Sequence, residues 1–206
     1  MGIVERKERQ KAELREQILD AARAIVLAEG FDALSMRKIA DAVEYSPATI
    51  YLHFASREEL ALQLVREGFL ELMKAIAPAL AVADPLERLR DMGRRYVRFG
   101  LESPQTYRLI FMEDPAFSDE VIGRNDDASD EPGERAFAIL ESAVADCIAA
   151  GYIAPMETQL GADLIWAAFH GVVSLRIACP EGKTLLVDVD TLTESMLATL
   201  ERGMRP

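Results

Sequence analysis

The stretch Ser46-Pro47-Ala48-Thr49-Ile50-Tyr51-Leu52-His53-Phe54 decides the reading of this chain. Ser46 is a helix cap, and Pro47 suits the first helical position, where a missing N–H costs nothing. The pattern predicts a very short helix that carries a Tyr and a His. A helix that short is not stable alone, because nucleation costs more than two turns of hydrogen bonds return. It must be held against the helix before it, and a short helix braced in that way is a common device for reading a DNA groove.

The neighbours fit that arrangement. Ile18, Ala21, Ala22, Ile25 and Val26 fall at helical spacing, and Gly30 follows as a stop. Ser35 can cap a second helix, Met36 to Val43, with Ile39, Ala40 and Val43 inward, and Glu44-Tyr45 make the turn. Ser56-Arg57-Glu58-Glu59 is a capping box that opens a long fourth helix, to about residue 75. Two short helices at a tight turn, braced by longer ones, make a helix-turn-helix.

Residues 14 to 66 resemble the DNA-binding domain of the TetR (tetracycline-repressor-like) family of bacterial regulators. The resemblance is carried by Ile18-Leu19-Asp20-Ala21-Ala22, Ala28-Glu29-Gly30-Phe31, Ser35 to Ala40, Ser46, Thr49 to Phe54 and Ser56 to Leu60. Two positions depart from it. Glu44 stands where many members have Gly, and a left-handed backbone there would cost roughly 1–2 kcal/mol. Arg57 replaces a common Lys and keeps the charge. The resemblance implies that Thr49, Tyr51 and His53 grip the phosphate backbone and that Arg57 can meet a phosphate. Pro47 and Ala48, at the helix start, offer only apolar contact to base edges. Tyr45 and Arg37 are the better candidates for base readout, and Arg37 could grip guanine. Ile50 and Phe54 read as core.

The net charge of −12 is unevenly placed. Residues 1–57 hold nine Lys/Arg and nine Asp/Glu, so the whole excess lies beyond them, in 14 basic and 26 acidic groups. Arg6, Lys7, Arg9 and Lys11 cluster in an expected N-terminal arm. The module that would approach phosphates is neutral, and the remainder is acidic, an asymmetry that sets orientation on DNA. The two cysteines, Cys147 and Cys179, are too few for a disulfide framework. No secretory signal is recognised and no run reads as approaching a membrane span, so the expectation is a bacterial cytoplasmic, nucleoid-associated protein without membrane contact.

Beyond residue 78 the pattern stays helical. Asp84-Pro85-Leu86-Glu87 combines a cap, a first-position proline and a third-position carboxylate. Further helices are expected from Ser103-Pro104, over about 132–150, 157–178 and 188–203, with an acidic, polar loop at 123–134. Tyr96, Phe99, Tyr107, Phe111, Phe137, Trp166 and His170 read as interior aromatic and polar residues, a candidate ligand pocket or a plain core. Trp166, His170 and Gly171 are similar to the signature of WHG-type C-terminal domains in the same family. That resemblance implies a homodimer through helices 157–178 and 188–203, with Leu192, Met196 and Leu200 as a stripe.

The expectation is an all-α chain: an N-terminal helix-turn-helix domain (1–55), a linking helix (56–77) and a C-terminal ligand-binding and dimerisation domain (78–206). Its expected partners are a double-stranded, palindromic DNA operator, a second copy of itself and an unidentified small-molecule effector, most simply for a repressor. A dimeric ligand-binding or interaction protein without productive DNA binding is the alternative. No metal-spaced cluster, Gly-rich phosphate loop or nucleophile elbow occurs, so no enzyme, metal site or cofactor is expected.

Overall fold

The structure, a computed structural model, describes residues 2–112, 131–179 and 187–206. Among them the regular elements are helical: α1 Ile3–Glu29, α2 Met36–Ala42, α3 Pro47–Tyr51, α4 Arg57–Ile76, α5 Pro85–Glu102, α6 Pro104–Phe111, α7 Pro132–Ala149, α8 Thr158–Ala178 and α9 Val189–Met204. Short 3₁₀ turns at Phe31–Ala33 and Ala77–Ala81 complete the set. The all-α expectation holds.

The sequence signals act where they stand. Ser35 Oγ accepts the Lys38 N–H and Ser46 Oγ the Thr49 N–H, both at 3.2 Å. Asp84 accepts the Glu87 N–H at 2.9 Å, and Asp188 the Thr191 N–H at 2.8 Å. Each bond satisfies an amide that the first helical turn leaves without a partner. Ahead of α4, Ser56 accepts the Glu59 N–H at 3.2 Å, while the Glu59 carboxylate reaches back to the Ala55 N–H at 2.6 Å, one residue earlier than the usual box.

The chain forms two compact units. Residues 2–68 with 108–112 make the first, and 69–107, 131–179 and 187–206 the second. The core of the first joins Ile18, Ala22 and Val26 of α1, Ile39 and Ala40 of α2, Ile50, Phe54, and Leu60, Ala61 and Leu64 of α4. In the second, α5 packs on α7, α8 and α9. Its buried side chains include Leu89, Met92, Val97, Val144, Ile165, Phe169, Val173 and Leu197. Gly100 lets two helices touch: a Cβ there would stand 2.3 Å from Val173 Cγ1. The outer edge of α5 is tied by Arg88 to Asp146 of α7 at 2.6 Å and by Arg94, through two bonds of 2.6 and 2.9 Å, to Glu194 of α9. Arg90 reaches Glu201 of the same helix.

Several expectations are corrected. The N-terminal arm is helical, because α1 begins at Ile3 and runs through Arg6, Lys7, Arg9 and Lys11. Residues 132–134 of the expected acidic loop belong to α7, where Pro132 occupies the first turn; 123–130 lie outside the described residues. Leu192, Met196 and Leu200 are half-buried in the single chain, beside Thr193, Leu197 and Met204, which α9 presents inward against its own unit. By length and composition α8 is apolar enough to cross a membrane, contrary to the sequence reading. Its inner face, with Ile165, Phe169, Val172 and Val173, is instead packed within the bundle.

Glu44 holds φ 59°, the left-handed region, in the turn between α2 and α3. The Tyr45 N–H closes that turn on the Ala40 carbonyl at 3.0 Å. Replacing Glu44 with Gly removes the steric cost and adds back part of it as unfolded-chain entropy. Glu44→Gly is therefore expected to raise stability by about 0.5–1 kcal/mol, read as a higher urea midpoint with an unchanged denaturant slope; a lower midpoint would refute the strain.

Candidate nucleic-acid interface and candidate ligand core

The first candidate surface is built on α3. Ile50 and Phe54 are 0% and 1% exposed and hold the element from inside. Opposite them, Tyr45 (48% exposed), Pro47, Ala48, Tyr51 (55%) and Leu52 (77%) face outward. Leu52 was not among the expected contacts. The signal for it was present: two residues after Ile50 and two before Phe54, it cannot share their inward face.

Thr49 is half-buried, and its hydroxyl pairs with that of Ser46 at 2.9 Å. His53 lies beyond the end of α3, not on its open face; its ring is half-buried and Nδ1 is enclosed with no hydrogen-bond partner among the described residues. Burial, with Lys11 and Arg15 nearby, lowers the His53 pKa and keeps the ring neutral. Arg57 rests over the Phe31 ring, 4.8 Å from its centroid, and bonds Glu58 at 2.7 Å, so its charge is engaged locally. Arg37 is exposed on α2 and, like Arg6, Lys7 and Lys11, forms no ion pair among the described residues. Arg9, Arg23 and Lys38 are paired with Glu13, Asp20 and Glu29 respectively, and Arg15 covers Phe54 at 4.2 Å.

The second candidate site lies inside the second unit. Trp166 of α8 donates its indole N–H to the Tyr96 hydroxyl at 3.1 Å. Tyr96 of α5 and Tyr107 of α6 pair through their hydroxyls at 2.8 Å, and Tyr107 meets His170 Nδ1 at 2.7 Å. The Tyr107 and His170 rings stack at 5.7 Å, and Phe137 of α7 stands edge-on to Trp166 at 6.3 Å. Five of the seven expected pocket residues thus form one connected cluster. Trp166, at 36% exposed, is its rim rather than its interior. Phe99 lines a separate open groove of about 540 Å³ with Lys74, Arg95 and Arg98. Phe111 is half-buried at the end of α6 in the first unit.

Burial pushes the Tyr96 hydroxyl up to about 12, against the lowering effect of its bonds to Tyr107 and Trp166. Burial also raises Tyr107, with Tyr96 adding to it, and lowers His170. All members are neutral near pH 7. An indole can only donate, so Tyr96 accepts from Trp166; where Tyr96 then donates to Tyr107 and Tyr107 to His170 Nδ1, the neutral imidazole carries its proton on Nε2. Among the described residues no group of three His, Cys, Asp or Glu side chains could hold a metal.

A buried neutral His sets a pH dependence. His170 and His53 both bind protons in the unfolded chain near the ordinary value of 6.5, but only at lower pH when folded. Their contribution is fully present above 6.5 and is lost as pH falls below it. The urea midpoint should therefore fall from about pH 7.5 to about pH 5.5. His170→Phe should lower stability at neutral pH by about 1 kcal/mol, one hydrogen bond, and flatten that slope; an unchanged slope would show that the ring titrates freely.

Comparison with known proteins places both units. A family model described as bacterial regulatory proteins of the tetR family matches residues 18–64, and one described as the tetracyclin repressor-like C-terminal domain matches residues 89–200. The chain is 34% identical over 103 residues to the HTH-type transcriptional activator FasR of Mycolicibacterium smegmatis, a match over 50% of this chain and 47% of that one. It is 35% identical over 81 residues to the HTH-type transcriptional repressor KstR of Mycobacterium tuberculosis, covering 39% and 37%. The matches thus span less than half the length of these curated relatives. Among solved structures, a protein of unknown function from Rhodococcus sp. RHA1 superposes with a TM-score of 0.74 at 26% identity, over 94% of this chain and 96% of that one. AibR, solved in complex with isovaleryl coenzyme A and operator DNA, shares the fold with a TM-score of 0.70 at 20% identity, over 90% and 96%. With one model covering the helix-turn-helix and another more than half of the chain, this protein belongs to the TetR family of bacterial regulatory proteins.

Proposed function

We propose that the protein is a sequence-specific, DNA-binding transcriptional regulator, most simply a repressor, that acts as a homodimer on a palindromic operator in the bacterial cytoplasm. The observation that carries this reading is the exposed Tyr45–Leu52 surface on a helix fixed from behind by Ile50 and Phe54. Residues 1–55 form the DNA-binding domain, 56–77 the linking helix and 78–206 the effector and dimerisation domain. Arg37 and Tyr45 approach bases, Pro47 and Ala48 line the groove, and Thr49, Tyr51, His53 and Arg57 position the backbone. With their hydroxyl and guanidinium engaged locally, Thr49 and Arg57 contribute through packing or after rearrangement.

The dimer reading rests on α8. Leu160, Leu164, Ala167, Gly171, Leu175 and Ala178 recur at helical spacing, and the three leucines are 53%, 47% and 46% exposed. Nothing lies within 4 Å of where a Gly171 Cβ would stand. A continuous apolar stripe with small residues at its centre suits a second helix lying close. The outer face of α9, with Thr191, Ser195 and Ala198, would flank it, together with the half-buried Leu192, Met196 and Leu200.

Tyr96, Tyr107, Phe137, Trp166 and His170 are the proposed effector residues, and Phe99 and Phe111, which stand outside their cluster, are the weaker candidates. The isovaleryl coenzyme A and operator DNA named for AibR illustrate the ligand kinds that this fold accommodates. An effector that prefers the splayed dimer needs to supply only about 1–3 kcal/mol of coupling to change operator occupancy 5- to 150-fold.

Selection from random-sequence DNA by the full chain, at low and moderate salt, should enrich one palindrome with half-sites about 34–36 Å apart and lose it as salt rises. No enrichment at either salt would sink the regulator reading. Leu164→Glu should sediment as a monomer and retain no preference for the palindrome over a single half-site; a variant that stays dimeric would refute the α8 interface.

A further inference from the structure

From Tyr45 to Ser56 the chain contains no Arg, Lys, Asp, Glu, Asn or Gln. Those are the side chains that read guanine, adenine or cytosine edges through paired hydrogen bonds. Most of the smaller polar groups of the stretch are turned to local contacts or enclosed. Ser46 and Thr49 bond each other at 2.9 Å, Ser56 caps α4 at 3.2 Å, and the His53 ring is half-buried with Nδ1 enclosed. The His53 Nε2 and two tyrosine hydroxyls at the ends of long side chains remain.

What the surface does present is apolar. At 100° per residue, Pro47, Ala48, Tyr51 and Leu52 fall within an arc of about 140°, and each is exposed. Leu52, at 77%, is the most exposed of the large apolar side chains described. A base pair offers one apolar feature in the major groove, the thymine C5-methyl group. Building on the DNA-binding reading above, we propose that the operator half-site is read largely through thymine methyl groups, with Leu52 as an anchor beside Ala48 and Pro47.

The full chain and its selected operator test this directly, by replacing thymines one at a time with deoxyuridine, which deletes the methyl and leaves every hydrogen-bonding group in place. At one or more positions in each half-site, affinity should fall about fourfold, the worth of one buried methyl, with the salt dependence unchanged because no phosphate contact is lost. Leu52→Ala, an exposed substitution that leaves the core alone, should weaken binding to the thymine operator and abolish the deoxyuridine penalty at its position. Ala48→Gly should do the same at a neighbouring position. Deoxyuridine neutral at every position, with binding intact, overturns the methyl readout and spares the DNA-binding reading. Equal loss on both operators for Leu52→Ala and Ala48→Gly overturns it too, in favour of sugar contacts. Failure to select any DNA overturns both readings.

Discussion

Ile50 and Phe54 hold in place a helix of five residues. Such a segment closes too few backbone hydrogen bonds to repay its own nucleation, so its conformation is borrowed from the core beneath it. Complete burial of one aliphatic and one aromatic side chain contributes about 1.5–3 kcal/mol each, and the Ser46 cap adds about 1 kcal/mol. Those contributions exceed the left-handed strain at Glu44, which is why a non-glycine residue is tolerated there. The outward side chains inherit this rigidity. Tyr51 and Leu52 keep a fixed direction because their immediate neighbours cannot move, and a surface already fixed loses little conformational entropy when a groove covers it.

The second unit meets a different constraint, that of carrying polar groups in a close-packed interior. Four polar rings, Tyr96, Tyr107, Trp166 and His170, satisfy one another from three helices, which removes the penalty that any one of them alone would incur. Gly100 makes room for this by letting Val173 and Tyr107 approach the backbone of α5. The arginine pairs along the outside of α5 are exposed or half-exposed and contribute little each. Packing therefore sets the fold of this unit, and the ion pairs along its edge add little to it. A cluster whose members come from α5, α6 and α8 is also the place where an inserted ligand would disturb all three at once.

Helix positions and caps were legible in the sequence because they depend on local chemistry. Ser35, Ser46, Asp84 and Asp188 each bond an amide three residues on, and nothing distant changes that. What was not legible depends on which neighbour wins. His53 is expected to grip phosphate alongside Tyr51, but α3 ends at Tyr51, and past the turn through Leu52 the imidazole is half-buried while the leucine is exposed. In α9, Leu192, Met196 and Leu200 do form a periodic stripe; periodicity gives a face but not its partner, and the residues turned fully inward are the neighbouring Thr193, Leu197 and Met204. The apolarity of α8 was under-read for a related reason. It has two apolar sides, one packed on α5 and α7 and one open, and a pattern with apolar residues on both sides loses its contrast. The aromatic cluster was recoverable as a set, but its hydrogen-bond order was not, since that requires three helices in register.

Charge and shape together limit how this protein can bind tightly. The DNA-proximal 57 residues carry no net charge, and several of their cations are committed to Glu13, Asp20, Glu29 and Glu58 or to the Phe54 and Phe31 rings. Each phosphate neutralised contributes to affinity through counterion release, so a module with few uncommitted cations gains little from electrostatics. Apolar contacts of the Leu52 kind add increments of about fourfold per methyl, too small for one half-site to stand out from a genome of competing sequence. In the proposed dimer the second half-site binds as an intramolecular event, and the modest increments multiply. The open face of α8 and the apolar face of α3 are then parts of one energetic arrangement, since a weakly charged reader gains useful specificity only when it is presented twice.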